Sequence, residues 1–260
     1  LEAAKLLLLA HNNNNTINKI PTEMQHDTAN ILGHKIKSTL IDAESRFNIN
    51  YLNDNTSFAF SEALSLAGDG MDIQKARALT KEITNWSNPQ PNAAFDSYYE
   101  KQGLGYIPAH QPFIDSSSLI MLKGFNAALV AMLRPHLIAL PSSVCANFNS
   151  VSDPLVLKAC GLSDNQVSAA AGCRMETVFK NTSDLLQCIG ASNDKSSNIN
   201  IGTSSTFFLL TSCSAPSDSS TSQCLQSLLS LQAYADNLQI NVLWQRGNAT
   251  MLTMATQEHT

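Results

Sequence analysis

Cysteine placement constrains this 260-residue chain more than any other feature: residues 1–144 contain none, and six follow between 145 and 224. Cys145, Cys160, Cys173, Cys188, Cys213 and Cys224 are separated by 15, 13, 15, 25 and 11 residues, with no Cys-x-x-Cys pair. An even number in one region, without closely spaced ligand pairs, fits a disulfide framework better than a zinc site. Spacing alone selects no connectivity; sequential pairing is the simplest, and Cys213 with Cys224 would close the Ser- and Pro-rich run between them. Disulfides persist in oxidising compartments, so the chain is expected outside the cytoplasm: in the periplasm, at the cell surface or secreted.

With 43% hydrophobic residues the chain can bury a sizeable core, and its length suits two subdomains. Only 14% of residues are charged, against about a quarter in typical soluble domains, so Asn, Ser, Thr and Gln must supply the missing polarity. A surface of neutral amides and hydroxyls suits an exported protein or a subunit packed in a larger assembly. The formal charge of -5 carries no basic stripe, which excludes a grip on a phosphate backbone and hence nucleic acid as partner. Sequons at Asn14, Asn55, Asn85, Asn181 and Asn248 are compatible with a glycoprotein, although a chain this rich in Asn, Ser and Thr produces many by chance.

Periodicity predicts a mainly α fold: a Cys-free N-terminal helical bundle, then a disulfide-stapled, mostly helical C-terminal region with at most one short β segment. The apolar stretch at residues 1–11 is too short to span a bilayer and reads as a helix end. Thr22 and Gln25 form a candidate capping box, and Leu32, Ile36 and Leu40, backed by Ile41 and Phe47, predict a helix to about Arg46. A short helix is expected over 57–67, closed by Gly68 and Gly70. Asp72 then caps a helix with Ala76, Leu79, Ile83 and Trp86 on one side. Residues 88–115 read as a linker-like loop with one helical turn at most, because Pro89, Pro91, Gly103, Gly105, Pro108 and Pro112 punctuate them. Ser116–Ser118 should cap the next helix, with Leu122, Leu129 and Leu133 as its stripe and Pro135 at its end. Although residues 119–140 are long enough to span a bilayer, Lys123, Asn126, Arg134, Pro135 and His136 argue against it.

The expected division falls near Pro141, giving a Cys-free region 1–140 and a disulfide-stabilised region 141–260. In the second, Asp153-Pro154 starts a helix and Gly161 stops one; Ser163 and Gln166 form a capping box. Residues 176–189 are expected to continue helically to Gly190. Phe207–Leu210 is the strand candidate, and Leu225, Leu228, Ala235, Leu238 and Val242 predict a long helix from Ser222 to Trp244.

No grouping rises to a catalytic, cofactor or metal site. Glu23 and His26 have the helical i,i+3 spacing of carboxylate-bridged di-iron bundles, but no second copy exists. His26 and His34 share a predicted helical face without a third ligand. His110, Asp115 and Ser116 supply hydrolase residue types without a nucleophile elbow. Phosphate-binding motifs are missing, and Asp69 with Asp72 does not fit an EF-hand. Tyr98, Tyr99 and Tyr106 either pin the loop to the body or form a partner patch. The expectation is a structural or assembly subunit of an extracytoplasmic complex, such as an envelope secretion or surface apparatus. It would work through protein partners in an oligomer or larger assembly and reach a membrane only through them. The alternatives are a secreted or surface-displayed binding glycoprotein of a protist or virus, and then a secreted hydrolase.

Overall fold

A computed structural model describes residues 23–31, 34–68, 71–191, 199–216, 223–234 and 237–247. The chain divides into two compact units, one joining residues 1–43 with 205–260 and the other formed by the continuous stretch 44–204.

The first unit is built on an antiparallel sheet. Its strands are β1 (Glu23–Ile31), β2 (His34–Asp42), β5 (Phe207–Pro216), β6 (Gln223–Tyr234) and β7 (Asn237–Gly247), in the order β1-β2-β5-β6-β7. Ile41 pairs with Leu209 and Leu209 with Leu228, forming a buried apolar row across three strands. Each such leucine contributes about 1.5–3 kcal/mol by leaving water. Two residues further along, Thr39, Thr211, Gln226 and Arg246 form a polar row, in which Gln226 Nε2 donates to Thr211 Oγ1 (3.2 Å) and Arg246 Nε donates to Gln226 Oε1 (2.9 Å).

This sheet overturns the mainly α expectation. The helix expected from Thr22 to Arg46 is instead the β1–β2 hairpin, and the one expected from Ser222 to Trp244 is the β6–β7 hairpin. Ile36 and Leu40, four residues apart, satisfy a strand's period of two as well as a helical turn. Residues 226–231 are buried at consecutive positions, so β6 lacks the one-sided alternation that marks a half-buried strand. Cross-strand partners from distant sequence then settle the conformation: β2 pairs along its whole length with β5, and Ser38 Oγ lies 2.9 Å from Ser212 Oγ.

The second unit contains a two-stranded parallel pair, β3 (Phe47–Asn48) with β4 (Leu137–Ile138), surrounded by helices. Helix α1 (Ser57–Ala67) packs on α2 (Ile73–Ser87), which Asp72 caps by accepting from Gln74 N, and Ser61 Oγ donates to Thr80 Oγ1 between them (2.9 Å). Ala76, Leu79, Ile83 and Trp86 are buried, as their spacing predicts. The linker-like region contains a ten-residue helix, α3 (Ala93–Gln102), because Pro89 and Pro91 precede it and leave its hydrogen bonds intact. Asn92 caps it, Phe95 and Tyr99 anchor it, and Gly103, at φ +61°, ends it.

The single helix expected after Ser116 is two elements. A 3-10 turn spans Ser116–Met121, with Asp115 as its cap, and α4 (Ala127–Leu133) restarts at Asn126. Gly124 between them has φ +85°, which ends helical propagation. Then come α5 (Pro154–Ala159), capped by Asp153, and α6 (Asp164–Glu176), with the Ser163/Gln166 capping box. Helix α7 (Thr182–Cys188) begins at its cap Asn181, so residues 177–181 interrupt the helix expected from 176 to 189. Pro141 lies inside the unit 44–204, so the division is not at residue 141.

Candidate functional site

The cysteines pair sequentially: Cys145–Cys160, Cys173–Cys188 and Cys213–Cys224, with Cα separations of 5.8, 6.1 and 4.0 Å. The first bond ties the segment after β4 to the end of α5, the second ties the last turn of α6 to α7, and the third links residues directly opposite on β5 and β6.

Asparagine side chains organise the unit 44–204. Asn50 Nδ2 donates to Phe113 O (2.9 Å) and Leu140 O (3.2 Å), while its Oδ1 accepts from Phe113 N (2.7 Å). Asn48 Oδ1 accepts from Leu140 N, and its Nδ2 donates to Ser142 O. These are the residues that sequence reading missed; the signal was the excess of Asn in a weakly charged chain.

His110 does not meet Asp115. Its Nε2 lies 3.1 Å from Asp96 Oδ1 and its Nδ1 2.9 Å from the Asn88 carbonyl, while Asp115 accepts from Ser117 N. The hydrolase grouping is therefore not assembled. Glu23 and His26 lie on β1, opposite Ile41 and Ser38, so the helical spacing that suggested a metal pair does not apply. His34 opens β2. Among the described residues, no cluster of three or more His, Cys, Asp or Glu could hold a metal ion. Gly68 follows α1 and Asp72 caps α2; Asp69 and Gly70 lie outside the described residues. No described helix is long and apolar enough to cross a membrane.

The tyrosines do pin the loop. Tyr99 is buried against Trp86 and Phe95, and Tyr106 packs near both Trp86 and Tyr99. Tyr106 OH donates to Met121 O, and Lys123 Nζ sits 4.4 Å above the Tyr98 ring. Tyr99 OH donates to Glu82 Oε2 (3.0 Å) and accepts from Lys123 N (3.1 Å). Burial raises the Glu82 carboxyl above its usual range, against the opposing pull of the Tyr99 hydroxyl and of Lys123 and Lys81. Of the sequons, Asn55 and Asn181 are exposed, Asn85 is half-buried on α2, and Asn14 and Asn248 lie outside the described residues.

Two surface regions expose large apolar side chains. One follows α3, where Ile107 is 64% and Ile114 76% exposed. The other surrounds the α6–α7 break, where Met175 is 89% exposed. A polar cleft of about 310 Å³ lies among Asn50, Asn53, Asp54, Asn85, Asn88 and Pro112.

Comparison with known proteins points to one apparatus. The family described as "Type II secretion system (T2SS), protein K" matches residues 45–142, inside the unit 44–204. Type II secretion system protein K of Klebsiella pneumoniae is 33% identical over 118 residues, covering 41% of this chain and 36% of that protein. The protein K of Pectobacterium carotovorum subsp. carotovorum is 27% identical over 155 residues, covering 53% of this chain and 47% of its own length. The matched stretches thus span between about a third and a half of these relatives. A chain of the crystal structure of the GspK-GspI-GspJ complex from the enterotoxigenic Escherichia coli type 2 secretion system superposes with a TM-score of 0.75. At 18% identity it covers 96% of this chain and 94% of its own, which shows a shared fold. With three disulfides in place, the chain is extracytoplasmic, as its cysteine pattern predicts.

Proposed function

We propose that the chain is a structural subunit of a type II secretion apparatus, occupying the place of protein K and assembling with partners of the GspI and GspJ kinds. One observation carries this reading. The match to protein K lies wholly within the unit 44–204, whereas the likeness to a chain of the GspK-GspI-GspJ complex extends over nearly the entire molecule. The stretch resembling protein K by sequence falls, along the chain, between the strands β1–β2 and β5–β7 of the antiparallel sheet. The chemistry agrees: buried asparagines serve as scaffolding, His110 is held by Asn88 and Asp96, and large apolar side chains are left on the surface. A subunit of this kind acts by presenting surfaces, and its disulfides suit service outside the reducing cytoplasm.

Co-expression with the I and J proteins of the same secretion system, followed by size-exclusion chromatography, tests the reading. Elution of all three chains in one peak is expected. Separate elution of this chain under conditions where I and J associate with each other would overturn it.

A further inference from the structure

The polar cleft of about 310 Å³ lies where three segments of the unit 44–204 meet: the turn 50–54, the C-terminal end of α2, and Pro112. Hydrogen bonds within the chain fix all three walls. Asn50 holds Phe113, the neighbour of Pro112, through both its amide nitrogen and its amide oxygen. His110 N donates to Trp86 O (3.0 Å) and its Nδ1 lies 2.9 Å from Asn88 O, which clasps the same loop to the end of α2. In the turn, Asn53 Oδ1 accepts from Asn55 N (2.9 Å) and its Nδ2 donates to Tyr51 O (3.0 Å).

What these bonds leave over is mainly acceptors. The Thr84 hydroxyl donates to Lys81 O and the Ser87 hydroxyl to Ile83 O, both at 3.1 Å, so each proton is taken by the helix and the oxygen lone pairs remain. The Asp54 side chain is exposed and has no partner among the described residues, and it is the one charged side chain among those that line the cleft. The half-buried Asn85 amide is also uncommitted. As the C-terminal end of a fifteen-residue helix, this wall adds the negative pole of the α2 dipole. Leu52, Pro89 and Pro112 complete the lining with apolar surface.

An acceptor-rich cleft with one negative charge and some apolar wall suits a primary ammonium, which carries three donors and no acceptor at the tip of a methylene stem. A calcium ion takes about six to eight oxygens, commonly from several carboxylates, and this cleft has one carboxylate. We propose that the cleft receives the side chain of a lysine presented by a partner protein, with Asp54 as its counter-ion and the oxygens at the end of α2 as further acceptors. The site stands independently of the secretion-apparatus reading.

Titration of the full, disulfide-bonded chain with the peptide Ac-Gly-Lys-Gly-NH2 tests this, read by NMR from the amide resonances of Asp54, Asn85 and Ser87. The norleucine counterpart, which lacks the ammonium, and calcium chloride serve as parallel titrants. A saturable shift at these resonances is expected with the lysine peptide, at a concentration at least tenfold below that needed for the norleucine peptide, and raised sodium chloride should weaken it severalfold. Asp54→Asn should weaken the lysine peptide at least threefold and leave the norleucine peptide unchanged, while Asp54→Glu, which keeps the charge, should bind within threefold of the parent. Equal binding of the norleucine peptide, no saturable shift, undiminished binding by Asp54→Asn, or tighter binding of calcium at the same resonances would each overturn the proposal.

Discussion

Asn149 and Phe179 exchange two hydrogen bonds across thirty residues of sequence: Phe179 N donates to Asn149 Oδ1 at 3.0 Å, and Asn149 Nδ2 donates to Phe179 O at 2.8 Å. A side-chain amide thereby does what a neighbouring strand would do, offering one donor and one acceptor in register. The same exchange joins Asn50 to Phe113. Irregular buried backbone must be paired somewhere, and in the unit 44–204 amides perform this pairing where no strand passes. That is a physical reason for the chain's abundance of asparagine alongside its few charges.

Asn149→Ala should therefore be severely destabilising. Asn149 is 6% exposed, and its removal orphans Phe179 N, Phe179 O and Thr203 O. The expected loss is about 2–4 kcal/mol, since each unmade buried hydrogen bond costs about 1–3 kcal/mol and the site relaxes in part. Asn55→Ala, at an exposed turn, should change stability by less than about 0.5 kcal/mol. Urea unfolding of both variants measures the contrast, and equal effects would refute the scaffolding role.

The disulfides should differ in their access to reductant. Cys145 and Cys160 are 0% and 1% exposed, whereas Cys188 is exposed on α7. Thiol–disulfide exchange needs a thiolate to reach sulfur, so Cys173–Cys188 should open first in the native protein, and Cys145–Cys160 should resist until unfolding. Timed alkylation after limited dithiothreitol treatment, with peptide mapping, reads the order. Early labelling of Cys145 would contradict it.

What was legible in the sequence was local. Asp72, Asp153 and the Ser163/Gln166 box each cap a helix as their residue types require, and Ile83 and Trp86 are buried on the face their spacing defines. The sheet was not legible, because β2 finds its partner β5 only after the whole unit 44–204 has intervened, and no periodicity within 34–42 encodes Leu210 or Ser212. Leucine compounded the difficulty: in the run around Leu228, Leu229 and Leu231, spacings of one, two and three occur together and fit either conformation. The cysteines were more informative, since their even number and confinement to one region report on compartment whatever the secondary structure.

Acid should weaken the start of α5. Burial works to raise the Asp153 carboxyl, but the hydrogen bond with His136 and the N–H groups of Leu155 and Val156 outweigh it and hold the carboxyl below its usual range. A lowered folded-state pKa stabilises above the unfolded value of about 3.9 and is lost as pH falls through the folded one. Asn can still cap a helix, so Asp153→Asn isolates the charge. The variant should be about 1 kcal/mol less stable at pH 6, the pair being partly exposed, and the gap should close below about pH 4. A gap that persists at pH 3 would assign the effect to packing.

Alkali should act through Tyr99 in the opposite sense. Burial pushes its hydroxyl well above the ordinary tyrosine range and the neighbouring Glu82 carboxylate adds to the shift, while the bond from Lys123 N opposes it. In the unfolded chain the same phenol ionises near pH 10, so above that pH the unfolded state releases a proton that the folded state keeps. The stabilisation linked to this proton is complete below about pH 10 and declines as pH rises toward the folded value. Tyr99→Phe removes the titrating group together with two hydrogen bonds, leaving Lys123 N and the Glu82 carboxylate without their partner. At pH 8 the variant should be about 1–2 kcal/mol less stable than the parent. Because only the parent then loses stability with rising pH, the two unfolding curves should converge between about pH 10 and 11.5. Curves that run parallel over that interval would show that Tyr99 titrates normally in the folded protein, and the hydroxyl would then have to be solvated rather than enclosed between α2, α3 and Lys123.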